Sequence, residues 1–127
     1  MKKIFKNIVM SITAGAVLFG TMSGMTYAAG TLTASMENSG LYKLTLHHDY
    51  SDSRYCELAI STGSSASTAT SVGFASGTLS PNVDMHLNRT VTGQNGYGHG
   101  VVYFGQTPYS TVVWSDHTEH ANPNYGN

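Results

Sequence analysis

Between Thr31 and Trp114 the large apolar residues recur at every second position in short runs, and clusters of Gly, Asn, Asp, Ser and Pro separate the runs. A period of two is that of a strand with one face buried; a helix would repeat at 3.6. The segment 31–37 (TLTASME) alternates loosely, and Asn38-Ser39-Gly40 supplies a turn with Gly where a left-handed backbone is needed. The segment 41–48 (LYKLTLHH) resumes the alternation, which predicts a hairpin whose second strand turns Tyr42, Leu44, Leu46 and His48 to the core.

After the turn-rich stretch Asp49-Tyr50-Ser51-Asp52-Ser53, Tyr55–Ile60 reads as a third strand. The uncharged stretch from Ser61 to Ser71 has no apolar side chain larger than Ala and reads as a surface loop or weak edge strand, with packing resuming at Phe74. Pro81 opens a longer alternation, 82–92, with Val83, Met85, Leu87 and Val91 facing in. Arg89 interrupts that inward set, so it is expected near the end of a sheet with its stem covered and its head in water. Gly93–Gly100 is glycine-dense and reads as a connection containing a tight Asn95-Gly96 turn. Val101–Phe104 and Thr111–Trp114 are the last two apolar runs, joined by a turn at 106–109.

Six or seven short strands at spacings of about ten residues, with turn signals between them, predict an all-β domain, a small antiparallel β-sandwich over 29–114. The remaining 115–127 reads as a polar, histidine-containing C-terminal tail. In it Asp116 precedes Glu119 by three residues, as at a helix start, and Pro123 ends any helix within two turns.

The first 28 residues follow a different pattern. Lys2, Lys3 and Lys6 precede an apolar run from Ile8 to Phe19, and Thr26-Tyr27-Ala28 ends on the small residues a signal peptidase reads. This predicts a signal peptide over 1–28, cut after Ala28, with a cut after Ala29 as second choice, and an extracellular protein, or a periplasmic one in a Gram-negative producer. The run is too short to serve as a stable membrane anchor.

Loss of the leader removes three of the 6 basic residues and none of the 7 acidic ones. Only Lys43, Arg54 and Arg89 stay, too few and too scattered to neutralise a row of phosphates, so nucleic acid is excluded as a partner class. Cys56 is the single cysteine and lies in phase with Leu58 and Ile60, which predicts a buried strand residue; an intermolecular disulfide is the alternative.

Six histidines are the most unusual feature of the composition. His117, Glu119 and His120 have donors that suit zinc or copper if they share one helical turn, so they are the candidate metal ligands. Exposed polar strand positions explain His47 and His86 without any metal. If all six histidines are exposed, acidification from roughly pH 7.5 to 5.5 carries the negative mature chain through zero net charge and promotes association. No G-x-S-x-G elbow, HExxH or paired CxxC is present, so an enzyme is not expected. Tyr97 and His99, set between glycines, are the candidate ligand-binding residues. The expected function is that of a secreted, non-enzymatic binding or cell-surface domain for an extracellular or cell-wall ligand. A bacteriocin-like antibacterial protein is the second reading, and a histidine-based extracellular metal binder the third.

Overall fold

A computed structural model describes residues 29–127; the signal peptide predicted over 1–28 lies outside the described residues. The described chain is all-β, with seven strands in two antiparallel sheets. In chain order they are β1 (Gly30–Met36), β2 (Leu41–His48), β3 (Arg54–Gly63), β4 (Thr70–Leu79), β5 (Met85–Thr90), β6 (Asn95–Tyr103) and β7 (Val112–Ala121). One sheet has the order β1-β2-β5 and the other β4-β3-β6-β7.

The hairpin read at 31–48 is β1–β2, and its turn places Gly40 at φ 90°, a conformation that a side chain resists. Tyr42, Leu44 and Leu46 of β2 and Cys56, Leu58 and Ile60 of β3 are fully buried in one shared core, joined by Val102 of β6. Alternation therefore predicted the facing of these strands correctly, including that of Cys56. Arg89 also sits as expected: it is exposed near the end of the edge strand β5, and its stem lies close against Gly73 of β4.

Four boundaries differ from the sequence reading. The Ser61–Ser71 loop is shorter, because β3 runs to Gly63 and β4 starts at Thr70; a single 3-10 turn, Ala66–Thr68, lies between them. The strand predicted over 82–92 is confined to Met85–Thr90, and Val83 is half exposed in the preceding turn. Gly93–Gly100 is mostly strand: Gly96, Gly98 and Gly100 are inward positions of β6, pressed by Tyr42, Leu44 and Leu32. A Cβ on Gly98 would lie 2.7 Å from Leu44 Cδ1, and one on Gly100 would lie 2.8 Å from Leu32 Cδ1. Here glycine serves close packing across the core and not a turn.

The fourth difference concerns the tail, since 115–121 continue β7, paired along β6 from Val101↔Ser115 to Asn95↔Ala121. The folded unit therefore extends past residue 114. Asn122 fixes its end: buried, it donates through Nδ2 to Val91 O (3.0 Å) and Gly93 O (2.9 Å), and its Oδ1 accepts from the Asn124 amide (3.0 Å).

Candidate functional site

Because β7 is a strand, successive side chains take opposite faces. On the outer face of the four-stranded sheet the antiparallel register lines up Phe74, Ala59, His99 and His117 across β4, β3, β6 and β7. The neighbouring row brings Tyr97 opposite Ser61 on one side and Glu119 on the other.

His99 and His117 are directly paired and stack with ring centroids 4.3 Å apart and planes 7° from parallel. Burial lowers the His99 pKa to about 4, and the adjacent His117 pushes it the same way; burial also lowers His117, against the pull of Asp116. Two neutral rings can lie in contact, whereas two imidazolium rings would repel. Tyr97 is almost covered, and its hydroxyl accepts from Asn95 Nδ2 at 3.3 Å.

The rings form the floor of a recess of about 360 Å³, lined by Tyr97, His99, His117, Ser61, Ala66 and Ala69. Its wall is the short segment between β3 and β4, which folds back so closely that a Cβ on Gly63 would lie 3.1 Å from Ala69 Cα. Small side chains in this segment, read from sequence only as low complexity, leave a recess beside the rings although Tyr97 is nearly covered.

Tyr97 and His99 thus line one recess, although they reach it from a strand and not from a loop tip. His117 joins them. The sequence signal for that partnership was the G-x-G-x-G alternation of 96–100, which turns Tyr97 and His99 to the same face. Finding His117 opposite His99 required the register.

The metal triad divides. His117 and Glu119 face outward, whereas His120, opposite Gly96, turns to the other face and packs against Tyr42 with ring centroids 5.7 Å apart. Glu119 and His117 also occupy successive outward rows. Helical spacing had suggested convergence; strand alternation separates the three, and among the described residues no group of three or more His, Cys, Asp or Glu side chains is arranged to hold a metal ion.

The other histidines are engaged elsewhere. On the outer face of the three-stranded sheet His47 Nδ1 meets Asp84 Oδ1 at 2.7 Å and His86 Nδ1 meets Thr45 Oγ1 at 3.0 Å. The acid and the hydroxyl therefore belong to different rings, where a nucleophilic relay needs one ring to hold both. His48 is buried, with Nε2 donating to Leu79 O at 2.7 Å and Nδ1 without a partner among the described residues.

Cys56 is likewise enclosed, and burial raises its thiol pKa to about 11, opposite to what a nucleophile needs. No known protein-family model matches this chain, and no curated protein matches it closely enough to count as a relative.

Proposed function

We propose that the chain is a secreted, non-enzymatic binding domain built as a β-sandwich, and that it takes its extracellular or cell-wall ligand in the recess over Tyr97, His99 and His117. The observation that carries this reading is the recess itself: a floor of stacked flat rings beside a tyrosine, walled by small methyl and hydroxyl side chains. Imidazole nitrogens and a tyrosine with hydroxyls at their margin suit a sugar or a short peptide. The shared core of the two sheets supports the sandwich, and the leader pattern of 1–28 supports export. The test is an NMR titration of the ¹⁵N-labelled exported protein with soluble cell-wall fragments and a glycan set. Shifts centred on Tyr97, His99 and His117 are expected. Shifts confined to the opposite sheet, or none with any fragment, would overturn the reading.

One further observation favours the antibacterial reading as the second. The β6–β7 connection presents Phe104 at 65% and Tyr109 at 94% exposure, with Val112 and Val113 also uncovered beside it. Exposed aromatics on a hairpin tip are what contact with another cell's envelope would cover. A spot assay on related bacteria tests this, with Phe104→Ser/Tyr109→Ser expected to abolish clearing while leaving the fold intact.

A further inference from the structure

The start of β1 carries an observation that bears on maturation. The Ala29 amide nitrogen lies 2.6 Å from Asp49 Oδ1, and the Asp49 amide donates in return to Ala29 O at 3.1 Å. The two residues extend the β1–β2 ladder by one step beyond Gly30↔His48. The position is held from below as well: Trp114 lies so close over Gly30 that a Cβ there would meet its ring at 2.5 Å. Ala29 N is thus fixed in front of a carboxylate by pairing on one side and ring packing on the other.

We propose that Asp49 is the receptor for the N-terminal ammonium created by processing between Ala28 and Ala29. The inference rests on the export reading above. Hydrolysis of that peptide bond by water gives Ala28 a carboxylate and Ala29 an amine, which takes up a proton at neutral pH. A neutral amide with one N–H becomes a cation with three, at the point where the carboxylate already stands. Cleavage one residue later would discard Ala29 N and leave Asp49 without this partner. Only the cut after Ala28 therefore leaves an ammonium at this position.

The charged and titratable groups around this point are few. β2 and its following turn contribute His48, which is buried, His47 with its partner Asp84, and Tyr50, over whose ring Arg54 lies while paired to Asp52 at 2.8 Å; Asp116 is the nearest charged residue along β7 from Trp114. None of them supplies a competing cation as close as 2.6 Å to Asp49 Oδ1, as Ala29 N does. Asp49 is exposed, so the effect is modest and salt-sensitive.

The experiment uses the full precursor, wild type and Asp49→Asn, expressed in a secreting host. Exported protein is purified, its mass and N-terminus are determined, and half of each sample is Nα-acetylated. The expected product begins at Ala29, and at pH 6.5 acetylation lowers its Tm by about 2 °C. In Asp49→Asn, where only the acetylation of Lys43 acts, the loss should be smaller, and the excess of wild type over Asp49→Asn should vanish at pH 10, where the free amine has lost its charge.

A product beginning at Gly30 would overturn the processing site while leaving export intact, and retention of the leader or failure to export would overturn the export reading itself. A product beginning at Ala29 whose Tm is indifferent to acetylation, or equally sensitive in Asp49→Asn, would overturn the role of Asp49 alone. Acetylation of Lys43 is common to both proteins and cancels in the comparison.

Discussion

His99 and His117 lie face to face across β6 and β7, ring centroids 4.3 Å apart and planes 7° from parallel, with His99 the more strongly held in its neutral form. The pair makes the candidate binding face sensitive to acid, in a sense that the burial of the rings determines.

Acid should weaken the fold between about pH 6.5 and pH 4. Burial lowers the His99 pKa from 6.5 to about 4, so over this interval the unfolded chain binds the proton that the native chain refuses. Stability is then complete above the upper limit and falls as pH drops, by at most roughly 3 kcal/mol from this residue. His117 and His120, also lowered by burial, act in the same direction. Asp116 opposes them near the acid end, since its carboxyl is raised by burial and the native chain is there the better proton acceptor. Urea unfolding at several pH values, with an NMR titration of the imidazoles, checks this; a His99 midpoint near its ordinary value would refute it. His99 should stay neutral at pH 5.5, so the full gain of six charges that composition alone allows should not be reached.

Asn122→Ala should destabilise the protein by about 2 kcal/mol. The substitution leaves Val91 O and Gly93 O without the amide that now bonds both, and Val91 is itself buried. Chemical denaturation gives the value, and a change below about 0.5 kcal/mol would show that water replaces the side chain freely.

Gly98→Ala tests the crowding of this inward position. Its Cβ would press on Thr118 Oγ1 of the neighbouring strand and come within 2.7 Å of Leu44 Cδ1 of the other sheet, which is fully buried. A loss of about 1–3 kcal/mol is expected. Ser115→Ala, on the outer face of the same sheet, should be nearly silent, and equal effects from the two would contradict the facing described for these strands.

The Cys56 thiol should be inert until the protein unfolds. It is fully buried and its pKa is raised to about 11, so a thiol reagent at pH 8 should label the native protein slowly and the urea-unfolded protein at once. Rapid native labelling, or a disulfide-linked dimer on non-reducing gels, would contradict this.

The chain alone determined the all-β class, the hairpin around Gly40, the core facing of Tyr42, Leu44, Leu46, Cys56, Leu58 and Ile60, and the peripheral place of Arg89. These follow from alternation, which is local: neighbouring residues take opposite faces whatever the strand pairs with. Three matters depended on pairing between distant segments and so had no local signature. Gly96, Gly98 and Gly100 look like a flexible connection until Leu32, Tyr42 and Leu44 are brought against them, after which only residues without side chains fit. The segment from 115 to 121 looks like a tail because its inward residues are polar; at the edge of a sheet Asp116, Thr118 and His120 lie opposite glycines, and Thr118 and His120 meet the hydroxyl and ring of Tyr42. The candidate binding face follows from the same register. A slip of one residue between β6 and β7 would part His99 from His117, and it is the burial of Val102, Tyr42 and their neighbours that holds the register in place.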